Sequence, residues 1–288
     1  MTANGSGQTL AAGLYFVATP IGAARDITLR ALDILRSADV IAAEDTRALR
    51  HLMDIHGVTL GDRPLLSYHD HNGERVRPRI LAALAAGKSV AYASEAGTPL
   101  VADPGYQLGA AAIAAGHPVT AAPGPSAVLA ALTVSGLPSD RFLFAGFAPN
   151  APGPRRRWLE ELRGIPATLV LYESPKRIHG LLGDLITTLG GSRRAAVCRE
   201  LTKKFEEVTR GTLDEIAAAF AGRTVKGEIV VLIDRARDAT AGAVEIEAAL
   251  REALTCQTVK DAAASVAELT GAPKRAVYQL ALKLAAGN

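Results

Sequence analysis

Short apolar runs alternate along the first half of the chain with longer stretches whose apolar residues recur every three or four positions. Leu14 to Ala18, Val40 to Ala43, Leu65 to Tyr68, Ser89 to Ala93 and Pro118 to Ala122 are short enough, and apolar enough, to read as buried strands. Between them the periodicity predicts helices. Ile27, Ala31, Ile34 and Leu35 make one apolar stripe, Leu49, Leu52 and Met53 a second, and Ile80, Leu81 and Leu84 a third. Asp26 or Thr28 can cap the first, and Asp45 or Thr46 the second. Gly87 stops the third, in which Pro78 fits only if it lies in the first turn. Tyr106 to Ala115 is the next helix, and Ser126 starts another that carries Val128, Leu129 and Leu132. Strand and helix in strict alternation predict a parallel sheet with helices on both faces.

Ser135 to Asp140 breaks that rhythm and reads as a linker. Beyond it the pattern predicts strands at Phe142 to Phe147, Thr168 to Glu173, Ala195 to Glu200, Glu206 to Arg210 and Glu228 to Asp234. Helices are predicted at Arg156 to Leu162, Pro175 to Leu189 and Leu213 to Phe220. The strand at Glu206 has no helix before it, so this second sheet should be mixed. Arg235 to Gly242 is another polar joint. Three helical stretches follow at Val244 to Leu254, Val259 to Leu269 and Pro273 to Ala285, with a turn at Thr270 to Ala272. Their spacing resembles a helix-turn-helix. The organisation read from the pattern is a disordered tail over 1–12, an α/β domain over 13–137, a second α/β domain over 138–236 and a helical extension over 240–288.

Composition changes this picture little. The 288 residues are 49% hydrophobic and 21% charged, with a net charge of +3, which permits an anionic partner without demanding one. Cys198 and Cys256 have neither metal-ligand spacing nor a disulfide framework, which fits a reducing cytoplasm. The first residues lack the basic-then-apolar order of a signal peptide, and no apolar run is long enough to cross a bilayer. His69 and His71 have no third ligand spaced nearby, so no metal is expected.

Chemistry is concentrated after the strands. Ser94 to Gly105 and Pro123 to Ala127 are Gly- and Pro-rich loops at the carboxyl ends of two strands, where open α/β sheets bind ligands. Glycine there allows close backbone approach and proline keeps the loop stiff. With one strand between them, the two loops suggest a single concave site. Glu173, Lys176 and Arg177 follow one strand; Arg199, Glu200 and Lys203 follow another; Glu44, Asp45 and Arg47 follow a third. Each set reads either as solvated salt pairs or as a site. Arg155, Arg156 and Arg157 beside Trp158 form the densest basic-aromatic cluster, suited to phosphates and a stacked base or else to a solvated helix start over a core tryptophan. Arg193 and Arg194, with Lys274 and Arg275, extend the basic residues.

Several motifs occur in order across both domains. They are Val17-Ala18-Thr19-Pro20-Ile21-Gly22, Asp26 to Leu32, Ala42 to Arg47, His71-Asn72, Ala96-Gly97-Thr98-Pro99, Asp103-Pro104-Gly105, Pro123 to Ala127, Tyr172 to Pro175 and Arg199 to Lys203. Together they resemble the tetrapyrrole-methylase-like S-adenosylmethionine methyltransferases, and within them the branch that acts on small-subunit ribosomal RNA. The C-terminal helices are similar to that branch's extension. The chain departs from the family's usual pattern at Ala23 (Asn), Glu95 (Asp) and Ala102 (Ser).

The resemblance implies S-adenosylmethionine in a cleft between the domains, lined by Pro20, Ile21, Thr98, Val101, Ser126, Ala127, Tyr172 and Gly227. It implies methyl transfer to the ribose 2′-hydroxyl of a cytidine in the decoding region of 16S ribosomal RNA, free or within the small subunit, by a homodimer. On the site reading of the charged residues at the strand ends, the alternative to solvated salt pairs, Glu173 or Glu200 orients the hydroxyl while Lys176, Arg199 and Lys203 grip phosphates. Arg47, Arg155, Arg156, Arg157, Lys274 and Arg275 would hold RNA. Two readings compete: C-methylation of a tetrapyrrole precursor on the same fold, and a nucleic-acid-binding regulator that uses only the C-terminal helices.

Overall fold

The computed structural model describes residues 9–69, 71–102, 105–236, 243–270 and 272–285. The tail expected at the start of the chain falls outside these up to residue 8, as do Asp103 and Pro104 of one motif, residues 237–242 of the second joint and Gly271.

The first sheet holds β1 (Gly13–Val17), β2 (Val40–Ala43), β3 (Leu65–Ser67), β4 (Ser89–Ala93) and β5 (Val119–Ala122), in the order β3-β2-β4-β1-β5. All its pairings are parallel. The loops after β4 and β5 therefore flank β1, the one-strand separation expected from the sequence. One face is covered by α1 (Leu29–Ser37) and α2 (Thr46–Ile55), whose Leu35, Leu49 and Met53 pack on Ile41 and Ala91. The other is covered by α3 (Gly73–Ala85) and α4 (Tyr106–Ala114), whose Ile80, Leu84 and Leu108 meet Leu14 and Tyr92. Of the alternatives for the caps, Thr28 accepts the Ala31 N–H and Asp45 accepts those of Arg47 and Ala48. Pro78 is not in a first turn. Helix α3 starts at Gly73, because Asn72 turns the chain there with its side chain on the His69 N–H. Pro78 thus leaves the Glu74 carbonyl without its intrahelical donor.

The second sheet holds β6 (Phe142–Phe147), β7 (Thr168–Glu173), β8 (Arg194–Arg199), β9 (Glu207–Thr212) and β10 (Ile229–Ile233), ordered β6-β7-β10-β8-β9. Only β6 and β7 run parallel, so the sheet is mixed as its pattern implied. Its outer face buries Leu169, Leu171, Val197 and Val231 under α6 (Pro152–Leu162), α7 (Ile178–Leu189) and α8 (Leu213–Phe220). Helix α6 begins four residues before the expected Arg156, because Pro152 occupies the first helical position, where its missing N–H costs nothing. Helix α7 begins at Ile178, after a turn closed by the Arg177 N–H on the Ser174 carbonyl at 3.0 Å.

The inner face packs on the first domain. Val128, Ala131 and Leu132 of α5 (Ala127–Ser135), with Ile21, share one core with Val170, Ala196, Cys198 and Leu232. Near the C-terminus, α9 (Ala243–Ala253), α10 (Val259–Thr270) and α11 (Lys274–Ala285) enclose their own small core around Leu250, Val266 and Val277. No helix among the described residues is long and apolar enough to cross a membrane.

Candidate functional site

A cleft of about 450 Å³ opens between the two sheets, at the carboxyl ends of β2, β4, β6, β7 and β8 and at the amino end of the antiparallel β10. Three loops of the first domain are knitted together beside it. Thr19 and Gly97 exchange backbone hydrogen bonds of 3.0 Å each way, the Ser94 hydroxyl donates to the Gly97 carbonyl at 2.5 Å, and the Thr98 hydroxyl donates to the Pro125 carbonyl at 2.9 Å. Gly97 needs its φ of +81°, and a Cβ there would lie 3.2 Å from the Ile21 side chain. Leu100 and Ala102 are also left-handed, at +71° and +55°, a conformation that costs an L-residue about 1–2 kcal/mol. Strain of this kind is held at ligand loops by the structure around it.

The cleft is apolar in its depth and acidic at its edge. Ile21, Val101 and Ala127 face Tyr172, Cys198 and Val230, while Glu44, Glu95 and Glu228 supply carboxylates at the edge and Glu173 a buried one in the wall. Burial pushes the Glu95 carboxyl above its ordinary range, and the negative charges of Glu44, Asp45 and Glu228 push it further. Burial, then Glu228, raises the Tyr172 phenol. Burial also raises Glu173, which is only 3% exposed, against the opposing pull of the Ser174 N–H at 2.8 Å and of Arg177 at 3.0 Å. Its Oε1 takes those contacts; its Oε2 is buried with no partner. The Cys198 thiol is pushed up to about 11 by burial and is no nucleophile near neutrality.

Glu200 and Lys203 support one wall of the cleft. Lys203 Nζ donates to Glu200 Oε1 and to Glu228 Oε2, each at 2.9 Å, and the Glu228 N–H donates to Glu200 Oε1 at 3.0 Å. The Lys203 contact, then the Glu228 N–H, hold the Glu200 carboxyl below its ordinary range. Burial works against the Lys203 charge, but its bonds to Glu200 and Glu228 outweigh it and raise the ammonium. Glu200 and Thr202 adopt φ of +51° and +64° in this segment. Thr202 Oγ1 accepts the Ala23 N–H of the other domain at 3.1 Å, which stitches the two lobes together.

Of the expected cofactor residues, Ile21, Val101, Ala127, Tyr172 and Gly227 line the cleft. Pro20, Thr98 and Ser126 do not; they shape the loops behind it. Among the expected catalytic residues only Glu173 lines it. Lys176 is exposed on the turn after β7, and Arg199 points away, with Nε 3.0 Å from Glu207 and a bond to the Lys226 carbonyl. Arg155 is a correction. It is 5% exposed and 2.6 Å from Asp184, so its charge is spent inside the protein rather than offered to phosphate. Trp158 packs against the core of the second sheet. Arg156 and Arg157 are exposed, as are Arg47, Lys274 and Arg275, although Arg156 lies 3.8 Å from Asp184 and Arg47 3.5 Å from Asp45. Two lining residues with no expected role are Phe147 and Glu228. Each sits at a strand end beside a glycine, which was the signal available in the sequence.

Residues 13–217 match the family model of tetrapyrrole (corrin/porphyrin) methylases, and residues 240–285 match that of the RsmI C-terminal HTH domain. A ribosomal RNA small subunit methyltransferase I from Mesorhizobium japonicum is 49% identical over 278 residues, covering 96% of this chain and 94% of that one. The chain belongs to the ribosomal RNA small subunit methyltransferase I family. A second relative of that name, from Xylella fastidiosa, is 46% identical over 92% of this chain and 97% of its own. The fold is shared with a uroporphyrin-III C-methyltransferase from Thermus thermophilus solved with S-adenosyl homocysteine, at a TM-score of 0.53 and 21% identity over 76% of this chain and 96% of that one.

Ribosomal RNA small subunit methyltransferase I enzymes use S-adenosylmethionine, and the residues present fit it. An apolar trough suits its adenosine, and the crowd of Glu44, Glu95 and Glu228, already disfavoured by mutual repulsion, is complementary to its sulfonium. The family's tetrapyrrole methylases share the fold, and the relatives named for the ribosomal RNA branch match this chain through its C-terminal helices as well.

Proposed function

We propose that this methyltransferase modifies the 2′-hydroxyl of a cytidine ribose in the decoding region of 16S ribosomal RNA, in the cytoplasm and as a homodimer. The observation that carries the reading is Glu173: a nearly fully buried carboxyl in the cleft wall with one oxygen held and the other unpartnered. A ribose hydroxyl is a poor nucleophile and needs an acceptor for its proton as it attacks. Burial keeps the Glu173 carboxylate more basic than an exposed one, and Arg177 and the Ser174 N–H fix its orientation. The relatives' name supplies the small-subunit RNA, and the exposed arginines and lysines supply electrostatic attraction for it.

S-adenosylmethionine carries the methyl on a sulfonium, ready for in-line displacement. The chain has to hold the acceptor oxygen behind that carbon and keep water out. Alignment of this sort is worth about 7–11 kcal/mol. The Lys203–Glu200 brace fixes the Gly227–Glu228 wall, and the hydrogen-bonded loops at Thr19 and Gly97 fix the opposite one. Glu173 then accepts the hydroxyl proton through Oε2, a contribution of about 10²–10⁴-fold for a positioned base.

The test is ribose-methylation mapping of small subunits from cells lacking the gene, before and after treatment with purified protein and cofactor. A new 2′-O-methylcytidine in the decoding region supports the reading, and its loss with Glu173→Gln supports the assigned base. Methyl found on a base atom, or on no residue of the subunit, overturns it.

A further inference from the structure

The β6–β7 ladder contains a one-residue irregularity at the cleft. Phe144 pairs with Val170, but Gly146 pairs with Leu171 and Phe147 with Tyr172, so Ala145 is an extra residue. Gly146 has φ of +72°, the left-handed conformation of a bulge glycine. Side chains alternate along a strand, and an inserted residue reverses the alternation beyond it. Leu143 and Ala145 face the outer core under α6 and α7, and Phe144 faces the inner side. Without the bulge Phe147 would follow Leu143 and Ala145 outward. With it, the Phe147 ring stands beside the Tyr172 ring, 5.6 Å between centroids and nearly edge-on, and lines the cleft.

That placement leaves Phe147 56% exposed, an unusual position for a large aromatic at the mouth of a binding cleft. The ring is also held there. Phe144 packs on the same Tyr172 at 4.8 Å, and Arg177, whose Nε lies 3.0 Å from Glu173, donates to the Ala148 and Pro149 carbonyls just beyond Phe147. One guanidinium thus ties the exposed ring and the buried carboxylate into a single unit. Trp158, the other aromatic suited to stacking on sequence grounds, is packed in the core and does not line the cleft.

We infer that Phe147 is the stacking platform for the nucleobase of the nucleotide being methylated, so that base capture on the ring delivers the attached ribose to Glu173. The inference rests on the ribose-methylation reading above and deepens it. Its occupant is the acceptor base and not the cofactor's adenine, because Phe147 stands at the open rim whereas Ile21, Cys198 and Val230 form the buried floor. Splayed-out bases are held in this way by aromatic faces, with modest dependence on base identity.

The experiment measures binding of unmethylated small ribosomal subunits, in the presence of S-adenosylhomocysteine, to the full-length protein and to F147A, F147L, F147W and F147Y. Cofactor affinity by calorimetry and melting temperature are measured in parallel. F147A should weaken subunit binding about tenfold. F147W and F147Y should restore it, F147L should not, and cofactor affinity should stay within twofold of wild type throughout. Rescue by leucine would show that the ring acts only by packing on Tyr172. A parallel loss of cofactor affinity would place adenine on the ring, and unchanged binding by F147A would remove the platform; each of these overturns the inference. The binding readout does not depend on which atom receives the methyl, so a failure of the ribose reading in the mapping experiment is distinguishable from a failure here.

Discussion

Gly227 is the position where one methyl group should do most damage. It has φ of +90°, and an ideal Cβ would sit 2.3 Å from the Glu200 carboxyl carbon and 2.4 Å from its Oε1. Gly227→Ala therefore meets two costs. The left-handed backbone costs about 1–2 kcal/mol. Displacing the Glu200 carboxylate breaks its 2.9 Å bond from Lys203 and its 3.0 Å bond from the Glu228 N–H, both charge-assisted. Such bonds are worth about 1.5–3 kcal/mol when buried and less at a partly exposed site. The sum is about 2–4 kcal/mol, or roughly 3–7 °C in melting temperature for a chain of this length. Gly227 and Glu228 both line the cleft, so the affinity for S-adenosylmethionine should fall at the same time, by about tenfold for each 1.4 kcal/mol that reaches the wall. Calorimetric titration and thermal melting measure both. A double-mutant cycle isolates the cause, because in an E200A background the clash is gone and only the backbone cost of about 1–2 kcal/mol should remain. An equal loss in both backgrounds, or a G227A variant with wild-type melting and affinity, would refute the brace.

Three further outcomes follow from the charges. Glu95→Gln should weaken binding of the sulfonium-bearing cofactor about fivefold to tenfold while leaving neutral-sulfur S-adenosylhomocysteine little changed, and equal losses for the two would show that the acidic edge does not read the sulfonium. Because burial raises the Glu173 carboxyl in the folded state, wild type should lose stability as pH rises from its ordinary carboxylate value through the raised one. Glu173→Gln should lack that slope, melt higher than wild type at neutral pH and turn over far more slowly; parallel melting curves across that range would contradict the burial argument. Arg155→Ala should cost about 2–4 kcal/mol by taking from Asp184 its buried partner and leaving only the half-exposed Arg156 at 3.8 Å, without changing the salt dependence of RNA binding. Arg157→Ala should do the reverse, lowering the salt slope by about one at constant stability, as filter binding across a salt series would report.

Both α/β layers and the helical extension were legible because strand-length apolar runs and helical stripes leave different periods in a sequence. Val40–Ala43, Ser89–Ala93, Phe142–Phe147 and Thr168–Glu173 have the bounds that their apolar runs set. Helix starts were harder to place. Nothing apolar marks Pro152 or Gly73, where proline geometry and a side-chain turn decide. The site divides in the same way. Cleft residues carried by motif loops, such as Ile21, Val101 and Tyr172, could be named in advance. The fate of charged residues could not, because it depends on partners distant in sequence. Asp184 draws Arg155 inward across 29 residues, and Glu207 takes Arg199 from across a strand pair. Phe147 is misassigned for another reason: strand alternation points it outward, and Gly146 beside it is the one trace in the sequence of the slip at Ala145 that turns it round.

The core shared by α5 and the inner face of the second sheet limits how the enzyme can move. Val128, Ala131 and Leu132 would have to leave Val170, Ala196 and Leu232 for the lobes to swing apart, and the Ala23–Thr202 stitch would have to part as well. The cleft is therefore a fixed fissure rather than a jaw. Severing the chain at the linker should bare that apolar seam and yield two sticky halves instead of two working modules.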